Sequence, residues 1–147
     1  MPDTTAPSPI APLHQVAALP WRRGIDGRLE VCLITTRETK RWTVPKGWPM
    51  KGLEDRHAAR IEAEQEAGIS GKAGKAPVGS FTYWKRRAER FDLVRVEVYA
   101  LRVTKVLPDW PERGERDVRW MHPADAARLV DEPGLTLLLE GFDPGEG

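Results

Sequence analysis

The sequence has little that would tie it to a secreted, membrane-bound or strongly basic class of protein. Cys32 is its only cysteine among 147 residues, which excludes an internal disulfide and favours a reducing compartment. No apolar run approaches the roughly 20 residues that span a bilayer, and we recognise no targeting signal. We therefore expect a cytoplasmic protein without a membrane partner. The formal net charge of +1 gives no bulk drive toward nucleic acid, which argues against that partner.

The length fits one domain with a hydrophobic core and is too short for two ordinary ones. Residues 1–12 are rich in proline, threonine and serine, so we expect a disordered tail there. We assign residues 13–142 to a single domain. Composition leaves its oligomeric state open, and a homodimer is one option.

Alternating apolar runs and turn residues predict a mixed α/β fold. The predicted strands cover residues 14–21, 29–36, 41–44, 78–84, 93–106 and 118–121. The predicted helices cover residues 55–67 and 123–129, with a further helical turn or two within 135–142. We place the N-cap of the first helix at Asp55 and its stop at Gly68. Strands on either side of separate helices suggest a mixed sheet enclosed by helices.

The most informative stretch is the glycine-rich loop from Gly47 and the helix that follows it. Glu62 and Glu66 are four residues apart, so a helix places both carboxylates on one face. Hard oxygen donors of this kind suit Mg²⁺ or Mn²⁺. Two glutamates on a helix are more often a solvated face, but the glycine loop before them favours metal-assisted chemistry on a phosphate.

From Gly47 to Ile69 the sequence resembles the signature of the Nudix hydrolases: glycine, five residues, glutamate, seven residues, then Arg-Glu-hydrophobic-X-Glu-Glu-X-Gly-hydrophobic. The resemblance implies a Nudix-type α/β/α sandwich with a loop-helix-loop catalytic motif. It also implies a pyrophosphohydrolase that uses Mg²⁺ or Mn²⁺. Glu62 and Glu66 are then the catalytic residues, and the metal ligands are Gly47, Glu62, Gln65 and Glu66.

Three positions depart from that signature. Leu53 and Ile61 stand where a glutamate and an arginine commonly pair, and we expect an apolar contact to replace that salt bridge. Gln65 stands where the family has a glutamate. An amide oxygen can still coordinate a hard cation, but without the negative charge. Binding of further metal ions would then be weaker, or would need an outside carboxylate such as Glu112 or Glu115.

Basic and aromatic residues near this segment suggest how a phosphorylated small molecule would bind. We expect Arg41, Lys46, Lys85 and Arg86 to contact the substrate, although each could simply be surface charge. Trp42, Trp48 and Trp84 could stack on an adenine base.

The wider segment of residues 12–140 is similar to the diphosphoinositol and diadenosine polyphosphate branch of the family. The resemblance implies hydrolysis of a diphosphate linkage in such a substrate. Alternatives are an ADP-ribose or sugar-nucleotide pyrophosphatase and a catalytically weakened nucleotide sensor. Removal of a 5′ pyrophosphate from RNA is a more distant alternative.

Overall fold

A computed structural model describes residues 11–145, which form eight strands and three helices. The strands are β1 Leu13–Arg23, β2 Leu29–Thr35, β3 Trp42–Thr43, β4 Lys46–Gly47, β5 Ile69–Ala73, β6 Gly79–Arg86, β7 Phe91–Val106 and β8 Val118–Met121. The helices are α1 Asp55–Ala67, α2 Pro123–Leu129 and α3 Pro133–Glu140. Residues 1–10 of the predicted tail lie outside the described residues. No helix within residues 11–145 is long and apolar enough to cross a membrane.

The strands form one mixed sheet, ordered β3-β2-β1-β7-β5 along its main path. β1 and β7 lie side by side and parallel over nine residue pairs, and the other pairings are antiparallel. β4 also pairs with β1, β6 with β7, and β8 with β2. The predicted mixed sheet is therefore confirmed.

The helices cover the two faces of this sheet and bury two cores. Successive side chains of β1 point to opposite faces, so β1 contributes to both cores. Val16 and Ala18 point toward α1, where they pack with Ala59 and Ala63. Small residues repeat at i+4 along α1, which lets the helix approach the strands closely. The opposite core includes Ala17, Leu19, Val96, Val98, Ala126, Leu135 and Leu139. This arrangement is the expected α/β/α sandwich.

The predicted bounds of α1 are confirmed, but the predicted N-cap is wrong. Glu54 is the N-cap and makes no side-chain capping bond, and Asp55 is the first helical residue. Asp55 Oδ2 lies 3.2 Å from His14 Nε2 on β1, so its carboxylate is directed to the sheet rather than to the helix's own amides. Gly68 ends the helix with φ of 68°. A side chain at Gly68 would also collide with the ring of Trp110.

Two short strands were not predicted. β4 lies in the glycine-rich loop, where Gly47 pairs with Val16 of β1. β5 begins directly after Gly68 and pairs with the end of β7. Together they fix both ends of the loop-helix segment to the sheet, which makes α1 a rigid platform for its glutamates.

Candidate active site

Gly47 and Glu62 lie in direct contact where β4 passes α1. A Cβ atom built on Gly47 would overlap the Glu62 carboxylate. The missing side chain therefore makes room for the glutamate beside the backbone of the loop. This close approach explains why a glycine opens the segment and why β4 must be held by β1.

Glu66 lies one turn further along α1 and is only 6% exposed. Its Oε1 accepts a hydrogen bond from the backbone amide of Lys46 at 3.1 Å. The Lys46 ammonium lies 4.9 Å from the centre of the Tyr83 ring. The loop thus orients one carboxylate through its backbone and directs a cation into the same region.

Arg116 approaches the glutamates from the loop between β7 and β8. Its Nε donates to Glu112 at 2.8 Å, and its Nη1 donates to the Thr35 carbonyl at 3.2 Å. Its Nη2 lies 3.9 Å from Glu66 Oε2. Only 11% of the Arg116 side chain is exposed, so these contacts fix the guanidinium. Arg116 was not among the predicted site residues.

Burial dominates the electrostatics of the site. It raises the pKa of Glu66 to about 8, against the opposing charge of Arg116. It also raises the pKa of Glu62, and the charge of Glu112 adds to that increase. Burial lowers the pKa of Lys46 to about 8, although the Glu66 carboxylate favours its charged form. Glu62 and Glu66 lie close enough to share a proton. A bound cation would favour the ionised form of both carboxyl groups.

These groups line an open cleft of about 760 Å³, called the cleft below. All four predicted substrate contacts lie on it, namely Arg41, Lys46, Lys85 and Arg86. Trp42, Trp48 and Trp84 line it as well, together with Phe91. Trp84 and Phe91 are each 62% exposed, so large aromatic surfaces remain available at the rim. Their role in substrate binding stays a prediction.

The positions that depart from the signature lie away from the centre of the site. Gln65 is exposed and does not line the cleft, and its backbone oxygen accepts a hydrogen bond from the Glu112 amide at 3.1 Å. Glu112 lines the cleft, whereas Glu115 pairs with Arg37 at 3.3 Å. Glu112 is therefore the better placed outside carboxylate, and Gln65 as a ligand stays a prediction.

The proposed contact between Leu53 and Ile61 is not part of either core. Leu53 is 43% exposed and Ile61 is half-buried, and neither packs against the buried clusters. A surface contact between them stays a prediction. The segment is held instead by backbone pairing of β4 and β5 to the sheet.

Sequence reasoning also missed the far wall of the cleft. Tyr83 donates its hydroxyl to Gln15 Oε1 at 2.7 Å, and burial raises the pKa of Tyr83 to about 12. Glu132 lines the same wall, and its Oε1 is buried with no hydrogen-bond partner within residues 11–145. Glu132 lies just before α3, far from the motif in sequence, so no spacing could have indicated it.

The donor set fits a divalent cation with hard oxygen ligands. Glu62 and Glu66 are two adjacent acids with raised pKa values, and Glu112 is a third carboxylate on the cleft. Their ligand atoms do not all lie within 4.8 Å of one another, so Glu112 would have to rotate to complete the set. Glu62 and Glu66 would be the principal ligands.

A comparison of two substitutions tests which residue supplies the third ligand. We expect Glu112→Gln to weaken Mn²⁺ binding about 10-fold or more, because it removes a charge from the cleft and loosens Arg116. Gln65→Glu should change Mn²⁺ affinity less than about 3-fold, since residue 65 is exposed. Titration calorimetry with Mn²⁺ measures both. A large gain from Gln65→Glu with no loss from Glu112→Gln would reverse the assignment.

Known proteins resemble this chain in sequence and in fold. A model of the NUDIX domain family matches residues 13–139. Nudix hydrolase 12, mitochondrial, of Arabidopsis thaliana is 31% identical over an alignment of 129 residues. The alignment covers 81% of this chain and 62% of that protein. Diphosphoinositol polyphosphate phosphohydrolase 3-beta of Bos taurus is 34% identical over 104 residues, or 69% of this chain and 60% of that protein. The chain spans about six-tenths of the length of these relatives.

Solved structures extend the likeness to the fold. The C. elegans Ap4A hydrolase superposes with a TM-score of 0.62 at 19% identity, covering 88% of this chain and 95% of that one. The NUDIX domain of Shewanella oneidensis NrtR, solved with ADP ribose, gives 0.62 at 15% identity, covering 88% and 85%. The family model covers most of the chain, residues 13–139, and this chain therefore belongs to the NUDIX domain family.

Proposed function

We propose that this chain catalyses the metal-dependent hydrolysis of a diphosphate linkage in a polyphosphorylated small molecule. The observation that carries the proposal is the adjacent pair of carboxylates, the buried Glu66 and the half-buried Glu62, in a cleft that is also lined by cations. Burial of two acids side by side costs stability, and such strain is typical of functional sites. Mg²⁺ or Mn²⁺ is the cation that this donor set favours.

Each charged group has a distinct part in that reaction. A cation bound by Glu62 and Glu66 would neutralise phosphate oxygens and favour ionisation of water. Glu62, the more accessible of the two, would orient the water or accept its proton. Lys46 and the cations of the cleft rim would bind the phosphates flanking the bond that breaks. Water adds across the P–O–P linkage, and the two products leave as phosphates.

The rim and the far wall of the cleft favour a nucleoside end on the substrate. Trp84 and Phe91 offer exposed rings on which a base can stack. The buried Glu132 Oε1, which has no hydrogen-bond partner within residues 11–145, is an acceptor for a ribose hydroxyl or a base amino group. A fully phosphorylated inositol ring would instead place a phosphate near this carboxylate. A dinucleoside polyphosphate is therefore our first candidate substrate.

Three alternative functions each have a specific argument in their favour. Named relatives include diphosphoinositol polyphosphate phosphohydrolases, and the cations Arg41, Lys85 and Arg86 suit such a ligand. A protein of similar fold was solved with ADP ribose, which supports hydrolysis of a sugar nucleotide as an alternative. A nucleotide sensor with weakened catalysis would follow if Gln65 removes an essential charge.

A substrate panel with Trp84→Ala tests the proposal. We expect wild-type protein with Mg²⁺ or Mn²⁺ to release products from a diadenosine polyphosphate faster than from a diphosphoinositol polyphosphate or ADP-ribose. Trp84→Ala should lower kcat/KM for the dinucleotide about 10-fold, because stacking on an aromatic ring contributes about 1–3 kcal/mol per base. Product release followed by chromatography measures these rates.

The diphosphoinositol substrate is the internal control, since it has no base to lose. Its kcat/KM should change less than about 3-fold in Trp84→Ala, because no stacking contact is removed. An equal loss of kcat/KM for both substrates would contradict base stacking on Trp84. Ligand binding without turnover of any diphosphate, with either metal, would favour the sensor.

A further inference from the structure

A second group of metal-ligating side chains lies on the α1 side of the sheet, outside the cleft. His14 on β1, Asp55 at the start of α1 and Glu97 on β7 each direct one ligand atom to a common point. All these atoms lie within 4.8 Å of one another. None of the three residues lines the cleft. Three separate elements therefore converge on one place.

The spacing of these atoms is close to that of a coordinated ion. Zn²⁺ binds nitrogen and oxygen ligands at about 2.0–2.2 Å, so two ligands of a tetrahedral site lie about 3.3–3.6 Å apart. His14 Nε2 and Asp55 Oδ2 are already 3.2 Å apart. Glu97 is within 4.8 Å of both, and a small rotation of its flexible side chain would complete the set.

In the described part of the chain, one of these carboxylates has no partner. Glu97 is half-buried, and within residues 11–145 it forms neither a hydrogen bond nor an ion pair. Arg95, which pairs in register with His14, is exposed and forms no ion pair in the same part of the chain. Burial raises the pKa of the nearby Tyr99, and the negative charges of Asp55 and Glu97 raise it further. Both negative charges thus act on one buried region.

The charge balance also favours a divalent cation. The N-terminus of α1 contributes about half a positive charge near Asp55. Asp55 and Glu97 together carry two negative charges, so a net negative charge of more than one remains. A divalent ion would balance the charges of its own ligands, two carboxylates and one neutral imidazole. The imidazole favours zinc over magnesium, which prefers oxygen ligands and retains its water.

We propose that His14, Asp55 and Glu97 form a second metal site that binds Zn²⁺ or a similar transition-metal ion, separate from the cleft. With three protein ligands, the fourth position of such an ion is taken by water. The bound ion joins the first turn of α1 to β1 and β7. Since α1 also carries Glu62 and Glu66, the ion holds the base of the cleft in place without contacting substrate.

Zinc titration of protein without an affinity tag tests this site. The protein is first stripped of metal and carries Glu62→Gln and Glu66→Gln, so that the cleft contributes little binding. We expect one equivalent of Zn²⁺ to bind and to raise Tm, because a ligand that binds the folded state alone stabilises it. Glu97→Gln should reduce Zn²⁺ affinity at least about 10-fold. Because Glu97 has no partner within residues 11–145, this change removes a ligand and none of the described intramolecular contacts.

Two further variants complete the design. His57→Gln is the matched control, since His57 lies on the same helix with 41% of its side chain exposed and, within residues 11–145, contacts a different acid, Glu54. It should bind Zn²⁺ as the parent protein does. His14→Gln should lose binding, and Co²⁺ added in place of Zn²⁺ should show visible absorption only while His14 and Glu97 are present. Unchanged affinity in Glu97→Gln and His14→Gln, or equal loss in His57→Gln, would overturn the proposal.

Discussion

Replacing Glu66 with glutamine is expected to abolish hydrolysis and, in the absence of metal, to stabilise the fold. Glu66 is buried beside Glu62 and accepts one backbone hydrogen bond, from Lys46. A glutamine at this position would keep that bond but remove the charge that holds the cation. We expect kcat to fall at least about 100-fold, since the site loses a charged ligand and its effect on water. Steady-state rates over a range of Mg²⁺ concentrations measure the loss.

The stability change has a defined pH window. The pKa of Glu66 is raised to about 8 in the folded protein, against 4.5 as its ordinary value. The metal-free fold is therefore unaffected by this group below about pH 4.5 and loses stability as pH rises toward 8. Glu66→Gln should remove that loss, which the difference between these two pKa values puts on the order of 4 kcal/mol at pH 8. A rise in Tm of about 8–16 °C corresponds to that gain.

Thermal unfolding with a chelator at about pH 4 and about pH 8 checks this window. Tm of the variant should exceed that of wild type at the higher pH and match it at the lower. Adding Mn²⁺ should reverse the order at the higher pH, because only the wild type binds the ion well. Glu64→Gln is the matched control on the same helix, since Glu64 bonds to Arg60 and Ser70 outside the cleft. A lower Tm for Glu66→Gln at the higher pH without metal would contradict the burial argument.

Gly47→Ala is expected to lower kcat about 100-fold while leaving the protein folded. The new methyl group would occupy the position of the Glu62 carboxylate. That carboxylate is the end of a flexible side chain, so it can move aside at little cost to folding. Catalysis depends on its position, and a misplacement of about 1 Å can cost about 100-fold in rate. Circular dichroism and steady-state kinetics separate the two effects.

Gly74→Ala provides the control for this substitution. Gly74 follows β5, and the nearest atoms to its added methyl group would be backbone oxygens at 3.8 Å, an ordinary contact. Its kcat should stay within about 2-fold of wild type. Equal activity of Gly47→Ala and Gly74→Ala would show that the close approach of Gly47 and Glu62 has no part in the reaction.

Local chemistry made α1 and its glutamates predictable. Small residues at i+4 spacing and Gly68 define the helix, and the Glu62–Glu66 spacing places both acids on one face. Asp55 was misread as the N-cap because aspartate before a helix usually accepts a bond from the helix amides. Here a histidine on a distant strand, His14, competes for that carboxylate.

The rest of the site depends on contacts that spacing does not encode. Arg116 reaches Glu66 from a loop about 50 residues further along the chain, and Glu132 comes from the turn before α3. The roles of Arg41, Lys46, Lys85 and Arg86 as substrate contacts remain predictions, although all four line the cleft. β4 and β5 were missed because they are short and rich in glycine and lysine, residues that strands usually lack.

The parallel pairing of β1 with β7 has a consequence for how the chain folds. Leu13 pairs with Val94 and Trp21 with Arg102, so the centre of the sheet joins residues about 80 positions apart. Contacts this distant in sequence form slowly, because a long loop must close before they stabilise anything. During synthesis, the edge of β1 that faces β7 stays unpaired until β7 has left the ribosome, although the other edge can already pair with β2 and β4. The cleft, which draws on residues from Gln15 to Glu132, is then completed among the last parts of the protein.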